Sequence, residues 1–310
     1  MGKVVVFGSL NMDLSVECDA FPQAGETVLG RGFVSTPGGK GANQAVAAAR
    51  MGATTHMVGA VGKDSLGTKM LQSLVDSGVL LERVQAMSNV HTGTATIVRS
   101  HGENRIVVDP GANALAQVDQ VCHAIEDLEG EGNVFLTQLE CNLATTLDSI
   151  AYAKEFGFYT ILNAAPACEL PSDIYQFVDL ICVNEVECEA LTGISPDTEK
   201  GCTHALMKLS ARGVKTVIIT LGSRGSVALS GDEMTNVSGF EVKAVDSTGA
   251  GDAYLGALAA CVASGSSVEG SMRFASAAGA LAATRVGAQA AMPTRSEVEA
   301  FLVQREQRDA

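Results

Sequence analysis

Near its carboxy-terminal end the chain carries Ser247-Thr248-Gly249-Ala250-Gly251-Asp252, three residues with little or no side chain set directly before a carboxylate. Small residues leave main-chain N–H groups open to an anion, and where such a turn opens a helix the unpaired amides of the first turn face it. Amides held this way steady the charge that builds on a moving phosphoryl group, and a carboxylate beside them can take the proton of an attacking hydroxyl. Gly249, Ala250 and Gly251 therefore read as an anion hole and Asp252 as a base. The same residues admit a plainer account. Asp252 is then an acid favoured by the macrodipole of a first helical turn, with Asp246, Ser247 or Thr248 as the helix cap.

Either account needs a frame to hold the turn. Short apolar runs at Val4–Phe7, His56–Ala60, Val134–Leu139, Thr160–Asn163, Leu180–Val183 and Val214–Thr220 predict buried parallel strands. Amphipathic stretches lie between them. Across Asp64–Ser77 the residues Leu66, Met70, Leu71, Leu74 and Val75 share one face, with Gly78 just beyond; Val118, Val121, Cys122, Ile125 and Leu128 form another such face. Strands alternating with helices of this length predict an α/β fold: a doubly wound, mainly parallel sheet with helices on both faces. Two regions, Leu14–Ser35 and Gly93–Val108, alternate instead in β-rich pieces and predict a small inserted sheet, a lid over the main one. From about Thr248 the chain turns Ala- and Gly-rich, and Ala250–Ala263 and Val268–Ala283 predict closely packed helices. With no internal repeat or low-complexity linker, residues 1–310 are expected to form one domain, with the lid at about 14–35 and 93–108.

Composition narrows the partners. With 35 Asp+Glu against 21 Lys+Arg, a net charge of -14 would repel nucleic acid and anionic membrane surfaces alike. Any bound polyphosphate must then be held by backbone amides, a few placed cations and metal. The 8 cysteines show no C-x-x-C pair and no His at zinc-ligand spacing, so they read as reduced core residues. No apolar run reaches bilayer length and no signal-peptide core stands near the start, so the expected compartment is the cytoplasm.

The common nucleotide signatures fail: Gly39-Lys40 is followed by Gly41 where a P-loop has Ser or Thr, and no G-x-G-x-x-G occurs. Instead, Gly38-Gly39-Lys40-Gly41-Ala42-Asn43-Gln44 together with Asp246–Asp252 resembles the two signatures of the ribokinase-like (PfkB) sugar kinase family. Further similar segments run through the chain: Gly8-Ser9-Leu10-Asn11-Met12-Asp13, Gln138-Leu139-Glu140, Asn163-Ala164-Ala165-Pro166-Ala167, Asn184-Glu185-Val186-Glu187 and Thr220-Leu221-Gly222-Ser223-Arg224-Gly225.

That resemblance implies ATP-dependent phosphorylation of D-ribose at its primary 5-hydroxyl, giving D-ribose 5-phosphate and ADP. It assigns Asn11, Asp13, Gly39, Lys40, Gly41, Asn43 and Glu140 to the sugar, with Asp252 as base. It assigns Thr220, Gly222, Ser223, Arg224, Gly225 and Gly251 to ATP, Ser276 to the neighbourhood of the adenine, and Asn184 and Glu187 to Mg²⁺ through water. A potassium ion is implied near Asp246, Thr248, Ala282, Arg285, Gly287 and Ala291, mostly through carbonyl oxygens; Ala290 and Ala291 depart from the family by lacking a hydroxyl there. It further implies a homodimer joined through the lids. By themselves, the residues leave other accounts open: a turn at Asn11 and Asp13, a capping loop at Gly38–Asn43, a capping box at Asn184 and Glu187, and a plain strand turn at Leu221–Gly225. Another acceptor, such as deoxyribose, a different sugar or a nucleoside, is the alternative within the class. A non-catalytic sugar-binding regulator is the alternative from another.

Overall fold

A computed structural model of the chain describes residues 2–128 and 130–309; Met1, Glu129 and Ala310 of the expected single domain lie outside the described residues. Among these the strands are β1 (Val4–Phe7), β2 (Asn11–Cys18), β3 (Gly30–Gly38), β4 (Thr55–Gly62), β5 (Leu80–Met87), β6 (Gly93–Ser100), β7 (Glu103–Asp109), β8 (Val134–Thr137), β9 (Tyr159–Asn163), β10 (Leu180–Val183), β11 (Thr216–Thr220), β12 (Gly225–Ser230) and β13 (Glu233–Ser238). The helices are α1 (Lys40–Arg50), α2 (Ser65–Asp76), α3 (Val118–Asp127), α4 (Leu143–Glu155), α5 (Glu185–Thr192), α6 (Glu199–Ser210), α7 (Ala250–Ala263), α8 (Val268–Ala283) and α9 (Arg295–Asp309).

Nine strands form one sheet in the order β13-β12-β11-β10-β9-β8-β1-β4-β5. It is parallel from β5 to β11, and β12 and β13 close it antiparallel. Because successive side chains on a strand point to opposite faces, the wholly buried β1 feeds two cores. Val4 and Val6 pack with residues of α1, α7 and α8 on one face, while Val5 and Phe7 pack with residues of α3, α4 and α6 on the other. This is the doubly wound arrangement the alternation of runs predicts.

The second sheet has the order β3-β2-β6-β7 and stands apart from the first, so the fold is ribokinase-like in its two parts, a large mainly parallel sheet and a small lid. The alternative account of Asn11 and Asp13 as a plain turn does not hold: both lie on β2, with Asn11 paired to Gly38 and Gly93 and Asp13 paired to Thr36 and Ala95. Three strands escape the pattern of apolar runs. β5 and β13 are sheet edges with mostly exposed or half-buried residues, and β12 carries Gly and Ser among its apolar residues. The expected strand Val134–Leu139 ends at Thr137, where the chain bends toward the candidate site.

Close helix contacts bring the two signature segments together. A Cβ on Gly256 of α7 would overlap Ala47 Cβ and main-chain atoms of Gln44 and Ala48 in α1, so the glycine lets the helices approach. Similarly, Gly41 presses the start of α1 against Gly8 and Ser9 after β1.

Candidate active site

The amino terminus of α7 is capped by no side chain. Gly249 is the cap residue in the left-handed region, φ 77°, which rules out the plainer account's cap from Asp246, Ser247 or Thr248. The N–H of Ala250 donates to Ser247 O at 3.1 Å, so of the three small residues Ala250 is already engaged. Gly251 and Asp252 donate to no acceptor among the described residues, and a Cβ on Gly251 would meet nothing within 4 Å. Open space and unpaired amides face each other there, the requirement for binding an anion.

One residue on, the buried Asp252 carboxylate is held at both oxygens: Asn43 Nδ2 donates to Oδ2 at 2.9 Å and Gln44 Nε2 to Oδ1 at 2.9 Å. Burial pushes its pKa up, with Glu140 adding to the rise, against the opposing pull of Lys40, Asn43 and Gln44. Lys40 itself is raised; burial disfavours its charge, but Asp252, Glu140 and Glu187 together outweigh that. Glu140 Oε2 accepts from Ser9 Oγ at 2.5 Å and from the Lys40 N–H at 3.0 Å. Asp13 is lifted to about 6, first by burial and then by Glu140 and Asp252. Its carboxylate lies against Gly38, where any Cβ would overlap it.

Asn11 is oriented from behind. Asn113 donates to Asn11 Oδ1 at 2.8 Å and is itself fixed by accepting from Leu10 N at 2.9 Å, which leaves the Asn11 NH₂ group to face outward as a donor. Asn43 has the opposite polarity: its NH₂ is spent on Asp252, while its Oδ1 is buried with no partner among the described residues. A polyol, whose hydroxyls both donate and accept, is the ligand such a mixed set satisfies.

Beside this cluster a cleft of about 640 Å³ opens between the loops at the carboxyl ends of β10 and β11 and the helices α7 and α8. Asn184, Thr220, Gly222, Ser223, Gly225, Ala250, Gly251 and Ser276 all line it. Its other wall is apolar, made in part by Phe240, Val242, Ala244 and Ala280, and Ser276 Oγ is buried there without a partner among the described residues. Glu187 stands behind Asn184 in a full capping box, Asn184 N to Glu187 Oε2 at 2.9 Å and Glu187 N to Asn184 Oδ1 at 2.8 Å. The capping reading of that pair is thus realised. Arg224 is not among the lining residues; its guanidinium donates to Glu185 at 2.7 Å and to the carbonyls of Pro196 and Asp197.

Asp246 joins two loops, accepting from Thr248 N and from Gly287 N at 3.0 Å each. Burial would raise its pKa, but these hydrogen bonds prevail and lower it. The carbonyl of Ala282 accepts from Arg285 N, and Ala291 donates to Ala288 O.

Gln44, Asn113, Gln138 and Asn163 are the polar residues that motif reading does not assign, along with Ser9. Ser9, Gln44, Gln138 and Asn163 stand inside the quoted segments and were accessible from them; Asn113 sits 102 residues from Asn11, and no local signal announces it.

A doubly wound sheet with a β lid, a buried carboxylate at an uncapped helix terminus and a nucleotide-sized cleft beside it define a small-molecule kinase site. Residues 1–295 match the model of the pfkB family of carbohydrate kinases, and the chain belongs to that family. A ribokinase of Bacillus subtilis (strain 168) is 39% identical over 302 residues, 97% of this chain and 100% of that protein. A deoxyribokinase of Salmonella typhi is 33% identical across 96% of this chain and 98% of its own length. Among solved structures, Arabidopsis thaliana ribokinase complexed with ribose and ATP superposes with a TM-score of 0.89 at 32% identity, covering 97% of this chain and 99% of that one.

Proposed function

We propose that the chain transfers the γ-phosphoryl group of ATP to the primary 5-hydroxyl of D-ribose. The observation that carries the reading is Asp252, clamped at both oxygens and standing between the free amides of α7 and the cluster of Asn11, Asp13, Lys40 and Glu140. The relatives named ribokinase, and the Arabidopsis structure with ribose and ATP, support the same pair of substrates.

In this scheme Asn11, Asp13, Gly39, Lys40, Gly41, Asn43 and Glu140 bind the sugar, and Asp252 takes the proton of the attacking hydroxyl. The new bond joins that oxygen to the γ-phosphorus, the bond from phosphorus to the bridging oxygen breaks, and ADP leaves. The amides of Gly251 and Asp252, with Lys40, steady the equatorial oxygens. The cleft residues Thr220, Gly222, Ser223, Gly225 and Ser276 hold the nucleotide, while Arg224 ties their loop to α5 and to the segment after it. Asn184 and Glu187 would hold Mg²⁺ through water, because their capping contacts leave further oxygen sites on a carboxylate that feels the charges of Lys40 and Asp252; the ion would supply positive charge against the phosphates. The family resemblance implies a potassium ion at the junction of Asp246, Thr248, Ala282, Arg285, Gly287 and Ala291, where Asp246, already joining the two loops through Thr248 N and Gly287 N, would be its side-chain ligand. Two chains pair through their lids. Among the described residues no helix is long and apolar enough to cross a membrane, and the 8 free cysteines support a reducing compartment, the cytoplasm.

The deoxyribokinase relative favours one second reading, the same chemistry on 2-deoxyribose. ADP release with Mg-ATP and K⁺ across D-ribose, 2-deoxyribose, fructose and adenosine separates them. Preference for ribose is expected, with Asp252→Asn losing about 10³-fold in turnover while still binding ATP. Preference for 2-deoxyribose would move the assignment to the second reading, and near-normal turnover of Asp252→Asn would remove the base.

A further inference from the structure

The carboxylate of Asp252 ends a chain of side-chain amides that reaches into the large sheet. Gln44 Nε2 donates to Asp252 Oδ1 at 2.9 Å and to Asn163 Oδ1 at 3.0 Å, which uses both of its protons. Gln138 Nε2 donates to Gln44 Oε1 at 2.7 Å, and Asn163 Nδ2 donates to the carbonyl of Cys182 at 3.2 Å. Gln44, Gln138 and Asn163 are all buried, on α1, on the bend after β8 and at the end of β9. Each amide fixes the orientation of the next, and the main-chain oxygen of Cys182 anchors the series. Gln44 can therefore present only N–H to Asp252, and Asn43 presents N–H to the other oxygen. A carboxyl group receiving donors on both oxygens is matched as an anion; a proton on either would meet an N–H.

We infer that Gln44, backed by Gln138 and Asn163, is the positioning residue that holds Asp252 ionised and aimed at the acceptor hydroxyl. The inference rests on the kinase reading of Asp252. Work of this kind is needed at this point, since Glu140 after β8, Asp13 on β2 and Glu187 on α5 all face Asp252 with like charge, and Lys40 of α1 is the cation among them. Asn43 takes one carboxylate oxygen and keeps its own buried Oδ1 unpartnered among the described residues, whereas Gln44 takes the other and has both protons and its Oε1 engaged within the fold, which separates the two neighbours in role.

The test compares kcat against pH for the wild-type enzyme, Gln44→Met and Gln138→Met with ribose and Mg-ATP, folding being checked by near-ultraviolet circular dichroism. Gln44→Met keeps the volume and deletes the donor. Its kcat should fall about tenfold, KM for both substrates should stay within about threefold, and the acid limb of the profile should move up by about one pH unit, as expected for losing one hydrogen bond to a charged group. Gln138→Met, one amide further out, should move the limb the same way by less. A folded Gln44→Met whose acid limb coincides with the wild type overturns the inference even if kcat is lower. Should Gln44→Met fail to fold, the limb of Gln138→Met decides in the same two directions. A wild-type enzyme that releases no ADP with any sugar overturns the kinase reading and this inference with it, whereas an active one with an unmoved limb overturns this inference alone.

Discussion

Asp13 sets binding against stability. Its pKa of about 6 in the fold, against 3.8 for the ordinary group, arises from burial first and then from Glu140 and Asp252. The folded state therefore binds this proton more tightly than the unfolded state does. Ionising Asp13 above pH about 6 destabilises the fold, and the penalty is relieved as pH falls from about 6 toward about 4, where both states are protonated. A shift near two units corresponds to roughly 3 kcal/mol, an upper figure for a group that retains some contact with water. Replacing the carboxylate with its neutral isostere should lift the penalty: Asp13→Asn is expected to gain about 1–2 kcal/mol in urea unfolding near pH 8, with the gain vanishing near pH 4. The same variant should bind sugar at least about tenfold more weakly, having exchanged an acceptor for a group that also donates. Equal stability of the two proteins at pH 8 would mean that the carboxylate is not strained by its neighbours.

The start of α7 separates folding from chemistry at two glycines, Gly249 and Gly251, with Ala250 between them. At Gly249, φ 77° is a conformation that an L side chain resists by about 1–2 kcal/mol, and a new Cβ would also lie 3.1 Å from Met292 Cε and 3.2 Å from Ala288 Cα. At Gly251 the backbone is helical and the space in front is open. Gly249→Ala should thus lower the melting temperature, while Gly251→Ala should leave it unchanged or slightly raised, since Ala favours a helix by up to about 1 kcal/mol over Gly. Steady-state kinetics should rank them in the other sense at the phosphate: the methyl of Gly251→Ala enters the anion site and should reduce kcat/KM for ATP by about tenfold or more. Full activity of Gly251→Ala would refute the placement of the phosphoryl group. Elements of this type were legible in the sequence. Val4–Phe7 and Leu180–Val183 are unbroken apolar runs because both faces of those strands are buried, and α7 and α8 stand out by their Ala and Gly content. β5 and β13 were not, because an edge strand needs no apolar face to specify it. The site divides the same way. Gly38–Gln44 and Gly249–Asp252 are contiguous and visible, and Gln138 and Asn163 stand in quoted segments, but the partners of those two residues and of Asn113 are set only when segments far apart in the chain are folded together.

At the scale of the whole molecule the lid is the part that a single chain leaves with an exposed edge strand. β3 and β7 are the edges of its four-stranded sheet, and every residue of β7 is exposed. Pairing register places Val108 opposite Ala95, which is opposite Asp13, and Ile106 opposite Ile97, which is opposite Ser15 and through it Val34. Val34, Ile106 and Val108, exposed by 45%, 56% and 53%, therefore share one face with Asp13, while Val107, exposed by 72%, looks the other way. An apolar face that borders the sugar cluster is disfavoured in water, and the proposed pairing of lids would cover it and screen the site from solvent. Sedimentation at micromolar concentration is expected to show a dimer for the wild-type chain. Ile106→Lys should shift it to the monomer and raise KM for the sugar, since charge cannot be buried unpaired across such a face. Val107→Lys, on the outer face of the same strand, should remain dimeric with unaltered KM. The reverse ranking would put the contact on the outer face, and a monomeric wild type would leave each lid to close over its own site alone.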